Sequence, residues 1–141
     1  MESISLFPIG VVAQSGLSKD GPKVDDVSTV KARIDILDKF VPGLAGLEGE
    51  KRIDVIFWLD RVTKDEREDP MTRSKRERNR GKGVYATRRA QRTNPIGVTR
   101  VELLAVEGNR LRVQGLDAFP GTPVLDIKPA VDRLCSGART T

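Results

Sequence analysis

Two short runs hold the densest unusual chemistry in the chain. Gly83-Val84-Tyr85-Ala86-Thr87-Arg88 comes first, and Arg92-Thr93-Asn94-Pro95-Ile96-Gly97 follows closely. Asn94-Pro95 marks a forced bend, because the residue before a proline is pushed out of the helical region. Arg88 and Arg92 flank that bend, and a guanidinium presents forked donors suited to a carboxylate or a phosphate. A second cluster runs from Gly115-Leu116-Asp117 through Gly121-Thr122-Pro123 to Asp126-Ile127-Lys128-Pro129. Gly-Thr-Pro is ordinary turn chemistry between strands. Asp126 and Lys128 would share one strand face, as a surface ion pair worth little. On residue types alone, an arginine beside a proline bend is more often structural than functional.

Composition narrows the chemistry further. The 141 residues contain no histidine, which removes His-dependent triads, imidazole bases and most zinc sites. Cys135 is the only cysteine, so neither a disulfide framework nor a cysteine metal cluster is expected, and no metal is expected at all. No Gly-rich phosphate loop of Walker type and no dinucleotide fingerprint follows a strand. The formal net charge is +5, and it is unevenly placed. Arg73, Lys75, Arg76, Arg78, Arg80, Lys82, Arg88, Arg89 and Arg92 stand against Glu77 alone, a strip of +8 on a body near −3. Such a strip is either a solvated loop or a surface that attracts a phosphate backbone. No apolar run approaches membrane-spanning length, and Met1–Pro8 lacks the pattern of a signal peptide. The expectation is a cytoplasmic protein with no membrane partner.

The elements that would position these residues are short strands. Phe7–Val12, Lys31–Leu37, Arg52–Leu59, Gly83–Thr87, Val98–Val106, Arg110–Gln114 and Pro123–Lys128 carry β-branched or alternating patterns. Ala32, Ile34 and Ile36 fall on one face of the second. Arg52–Leu59 has apolar residues on both sides, which suggests burial on much of both faces. Glu107-Gly108-Asn109 is hairpin chemistry, because Gly and Asn tolerate positive φ. Helical hints are confined to Pro42–Leu47 and Val131–Leu134. Residues 60–82 lose all periodicity and are expected to form one long charged loop, partly disordered. This pattern predicts an all-β chain, one domain over 1–141, built as a small barrel or sandwich of about seven strands.

These motifs, in this order and spacing, resemble the TsaA-like (TrmO-type) family of S-adenosylmethionine-dependent tRNA methyltransferases. GVYATR, RTNPIG, VELLAVEGNRLRVQGLD and GTPVLDIKP carry the resemblance, with Pro8-Ile9-Gly10-Val11 and Gly43–Glu48 falling where the family has related segments. The resemblance implies a single-sheeted β-barrel, usually a homodimer, that binds S-adenosylmethionine and methylates the exocyclic nitrogen of threonylcarbamoyl-adenosine beside the tRNA anticodon. It implies cofactor contacts from Arg88, Val98, Gly115, Leu116 and Asp117, with Asp60 and Arg61 from the loop after the central strand. Arg92, Asn94 and Asp117 are the residues expected near the transferred methyl group. Arg73, Lys75, Arg76, Arg78, Arg80, Lys82 and Arg89 are expected to meet the nucleic acid.

Methyl transfer from a sulfonium is a direct displacement, so positioning carries most of the barrier reduction and histidine is not required. The chain departs from the family at Gln91, Thr93, Pro120 and Ala130, positions on the supposed acceptor side. Those departures leave two alternatives open: a methyltransferase for a small-molecule or other non-tRNA acceptor, and a non-catalytic module that binds nucleotide or nucleic acid.

Overall fold

The computed structural model describes residues 1–71 and 80–131. Six antiparallel strands close on themselves: β1 (Gly10–Ser15), β2 (Lys31–Ile36), β3 (Arg52–Trp58), β4 (Ile96–Glu107), β5 (Arg110–Gln114) and β6 (Pro123–Pro129). Their order around the barrel is β1-β2-β5-β4-β3-β6, and β6 returns to β1 through Gly10↔Val124 and Val11↔Pro123. The all-β barrel expected from the alternating runs is therefore what forms. Its interior is the inward half of each alternation: Val12, Ile34, Ile53, Val55, Leu111, Val113, Leu116 and Val124 are all fully buried. Each such side chain contributes about 1.5–3 kcal/mol of burial free energy.

β4 is the longest strand of the barrel. It pairs with β3 along Ile96–Glu102 and with β5 from Glu102 to Glu107, so one strand serves two walls. A bulge makes this possible. The register shifts between Leu103 and Ala105, leaving Leu104 as the extra residue. After the shift Val106, not Ala105, stands opposite the buried Leu111. The inside–outside alternation resumes in phase with the core, as a one-residue insertion must make it do.

Three expectations change in the structure. Gly83–Thr87 is not a strand. Gly83 makes one isolated bridge to Met71, and Val84–Ala86 wind into a 3-10 turn. The cause is local competition: Thr87 Oγ1 donates to Val84 O at 3.0 Å, giving the backbone a turn where a ladder partner was expected. Within the long charged loop, α1 (Lys64–Glu68) is a short helix that periodicity did not announce. Its start is a capping box, with Thr63 accepting from Glu66 N and Glu66 accepting from Thr63 N. At the β4–β5 hairpin only Gly108 takes positive φ, +63°, so the turn has the type II′ pattern and does not require Asn109 to follow. Asn109 instead donates from Nδ2 to Ile36 O at 3.1 Å and ties the hairpin to β2.

β3 buries Ile53, Val55 and Phe57 inward and leaves Asp54, Ile56 and Trp58 half-buried outside, which explains its apolar residues on both faces. The helical hint near Pro42 is a 3-10 segment, Asp38–Leu44, and that near Val131 lies mostly outside the described residues.

Two predictions follow from the packing of β3 on β4. A Cβ on Gly97 would stand 2.6 Å from Cε2 and Cζ of Phe57, inside any permitted contact. Gly97→Ala is expected to cost about 1–3 kcal/mol by overpacking, measured by urea unfolding. Adding Phe57→Leu should return part of that loss; two strictly additive losses would contradict the clash. On the outer face, Arg100 donates to Asp54 at 2.9 and 3.3 Å across the strand pair, and this hydrogen bonding holds the Asp54 carboxyl below its usual range. A depressed folded-state value contributes stability above the unfolded aspartate pKa of about 3.9, lost as pH falls through the folded value. Asp54→Asn should therefore lower stability at pH 7 by at most about 1 kcal/mol and flatten the acid limb of the stability profile.

Candidate functional site

The site is built from the bend between α1 and β4, laid against the first half of β4. Pro95 is fully buried, and its carbonyl accepts from Leu59 N at 2.7 Å, so the end of β3 pins the bend. Val84 is fully buried at the other end, and its N–H donates to Pro70 O at 2.9 Å. Between these anchors two arginines brace the chain. Arg92 Nη1 donates to both Thr87 O and Arg89 O at 3.2 Å, closing the 87–92 loop on itself. Arg67, on α1, lays its guanidinium over the Trp58 ring at 5.2 Å and donates from Nε to Thr93 O at 2.8 Å. The helix in the charged excursion is thus fastened to the residue that precedes Asn94.

The result is an open groove of about 1490 Å³. Along β4 it is lined from Ile96 to Glu102. Tyr85, Thr87, Arg88, Arg92 and Asn94 line it from the segment before β4, and Ser28, Gln114, Gly115 and Asp117 line it from the segments around the start of β2 and the end of β5. That second group is held by one backbone and one side-chain bond: Gly115 N donates to Val30 O at 2.8 Å, and Gln114 Nε2 donates to Ser28 O at 3.2 Å. Gly115 sits at φ +99°, a conformation that only glycine adopts without strain. Asp26 caps the neighbouring turn; hydrogen bonds from the Ser28 hydroxyl and amide hold its carboxyl below the usual range.

Of the residues singled out in the sequence, Arg88, Arg92, Asn94, Val98, Gly115 and Asp117 come together in this groove. Arg88 reaches Val98 O through one Nη2 bond of 3.2 Å, which engages one of its five N–H donors. Asn94 and Asp117 are exposed. Leu116 departs from expectation: its side chain is fully buried in the core, so any ligand contact from it is confined to the backbone. Arg92 lines the groove, and its Nη1 also closes the loop. Asp60 and Arg61 do not line the groove. They border an adjoining pocket of about 320 Å³ that shares Leu59, Ala90 and Asp117 with it, and Arg61 stacks on Phe119 at 5.0 Å.

Among the expected nucleic-acid contacts, Arg80 and Lys82 are exposed, whereas Arg89 turns to Gln91 Oε1 at 3.2 Å. Arg73, Lys75, Arg76 and Arg78 lie outside the described residues. Sequence reasoning missed Ser28, Gln114 and Arg67. The first two reach the groove only because β2 pairs with β5 in the register Lys31↔Gln114. Arg67 sits four residues after Thr63, and the Thr63/Glu66 capping box was the signal that an ordered element lay there. No group of three or more potential metal ligands occurs among the described residues, and no helix among them is long and apolar enough to cross a membrane.

Comparison with known proteins adds to this geometry. Residues 17–135 match the family described as tRNA-methyltransferase O N-terminal domain. An S-adenosyl-L-methionine-binding protein of Archaeoglobus fulgidus is 39% identical over 131 residues, covering 90% of this chain and 91% of that one. The crystal structure of TrmO from Pseudomonas aeruginosa superposes with a TM-score of 0.72 at 29% identity, over 98% of this chain and 62% of that chain. A further TrmO crystal structure gives 0.73 at 28%, over 99% and 61%. The chain thus spans less than two thirds of the solved structures it matches. With the barrel, the groove and the ordered motifs in agreement, the chain belongs to the tRNA-methyltransferase O N-terminal domain family.

Proposed function

We propose that this chain is an S-adenosylmethionine-dependent methyltransferase that holds the methyl donor in the β4 groove and methylates the exocyclic nitrogen of threonylcarbamoyl-adenosine beside the tRNA anticodon. The observation that carries the reading is the meeting of Arg88, Asn94, Val98, Gly115 and Asp117 in one groove of a barrel of this family. Their chemistry fits the donor. S-adenosylmethionine presents a carboxylate, ribose hydroxyls, an adenine and a sulfonium that supplies an electrophilic methyl group. Arg88 offers a cation with forked donors for the carboxylate, and Asp117 offers acceptors for hydroxyls or a counter-charge for the sulfonium. Ile96 and Val98 supply apolar surface between them.

The residues of this chain then have separate tasks. Asn94 carries both a donor and an acceptor, and so can orient an acceptor amide or amine toward the methyl. Arg92 and Arg67 are positioning residues, because they fix the backbone from Thr87 to Thr93 and thereby the place of Asn94. Direct displacement at a methyl group gains from alignment alone, with effective molarities worth roughly 7–11 kcal/mol. A rigid bend is what such a reaction asks of the protein. Exposed Arg80 and Lys82 would meet the RNA backbone, which makes affinity depend on salt.

Calorimetric titration with S-adenosylmethionine, paired with methyl transfer to tRNA at several salt concentrations, tests the proposal. Saturable donor binding and salt-dependent tRNA affinity are expected. Donor binding with no RNA affinity would replace tRNA by another acceptor, and absence of donor binding from folded protein would leave a non-catalytic module. Arg88→Ala and Asp117→Asn should each weaken donor binding about tenfold or more, the worth of a hydrogen bond to a charged group. Arg67→Ala, by contrast, should leave donor affinity intact and lower the turnover rate about ten- to a hundredfold through misplacement of the bend.

A further inference from the structure

We propose that Tyr85 is the platform on which an unstacked nucleobase of the RNA substrate rests, an inference built on the tRNA reading above. The residue is 78% exposed yet lines the groove that holds Arg88, Asn94 and Asp117. Its exposure is imposed by its support. The residue before it, Val84, is locked in the interior with 0% exposure, and Tyr85 occupies the middle of the 3-10 turn that follows. That turn is closed by Ala86 N to Gly83 O at 3.1 Å, Thr87 N to Val84 O at 3.1 Å and Thr87 Oγ1 to Val84 O at 3.0 Å. Arg92 secures the Thr87 carbonyl from beyond the turn. A large apolar ring is therefore held out into solvent on a backbone with little freedom to withdraw it.

The other described aromatics near the site are already spoken for. Phe57 is 3% exposed in the core, Trp58 lies under Arg67, and Phe119 lies under Arg61. Tyr85 is thus the exposed aromatic of the groove among the described residues. Its chain neighbours Arg80 and Lys82 are exposed cations. An aromatic face set among cations that can follow a phosphate backbone is how single-stranded nucleic acid is gripped, with the ring taking a base and the cations the strand. An aromatic side chain with two rotatable bonds also loses little entropy on contact. The base belongs to the RNA and not to the methyl donor, because a donor that must react away from water would not rest on a residue that stands 78% exposed.

The test compares the unaltered protein with Tyr85→Phe and Tyr85→Ala. Affinity is measured for an anticodon stem-loop RNA carrying threonylcarbamoyl-adenosine, over a range of salt, and for S-adenosylmethionine by calorimetry. Far-UV circular dichroism checks that each variant is folded. Tyr85→Ala should weaken RNA binding about 5- to 150-fold, the range for one base stacked on an aromatic ring. The slope of affinity against salt should not change, because the phosphate contacts remain. Tyr85→Phe should stay within about twofold of the unaltered protein, since a phenyl face stacks as a phenol face does. Unchanged RNA affinity in the folded Tyr85→Ala protein overturns the proposal, as does a loss confined to S-adenosylmethionine binding, which would put the donor's adenine on the ring. An unaltered protein with no RNA affinity even at low salt fails the tRNA reading itself, and the Tyr85 proposal with it.

Discussion

The double duty of β4 is the constraint on which the rest of the molecule depends. A barrel of six strands has no unpaired edge, and its longest strand, β4, gives its first half to β3 and its second half to β5. β4 carries the Leu104 bulge, and the alternation on either side of it stays in phase with the core. Were the strand straight, Ala105 would stand opposite Leu111 and the larger Val106 opposite Arg110. The groove inherits this arrangement. Its floor is the part of β4 that lies before the bulge, and its Gly115–Asp117 side is the chain leaving β5 just beyond it.

Against that floor, the 83–95 segment is held by unlike devices at its two ends and its middle. Buried Val84 and Pro95 anchor the ends through the apolar interior. Arginine-to-carbonyl hydrogen bonds hold the middle, where a polar loop offers backbone acceptors. An arginine suits this task because its planar fork reaches two carbonyls at once without rearranging. The same residue type therefore serves two ends: Arg92 and Arg67 build the loop, while Arg88 uses one donor on Val98 and has others for a ligand.

Much of the barrel was legible in the sequence because strands with one buried face alternate, and alternation survives as a pattern of residue types. Ala32-Ile34-Ile36 is the plainest instance, and Arg110–Gln114 has the same bounds in sequence and structure. Gly83–Thr87 was misread because a single buried Val84 amid small and β-branched residues looks like a strand fragment, while the hydroxyl bond that winds it into a turn leaves no periodic trace. The site was legible where motifs mark unusual backbone, as at Asn94-Pro95 and Gly115. It was not legible where long side chains choose their partners. Nothing in the order of residues says that Arg92 turns back to Thr87 O, that Arg67 reaches Thr93 O twenty-six positions away, or that Leu116 points inward between two groove residues.

Trp58 pairs with Ile96, so β3 and β4 are the two arms of one hairpin, and everything from 59 to 95 is topologically its loop. The mouth of that loop is fixed by strand register, by Leu59 on Pro95 and by the core beneath it. Closing a longer or shorter loop across a fixed mouth changes the chain entropy only with the logarithm of its length. The barrel is consequently a chassis on which this segment can change length at small entropic cost, provided that its buried anchors Val84 and Pro95 and the seat of Arg67 on Trp58 are kept.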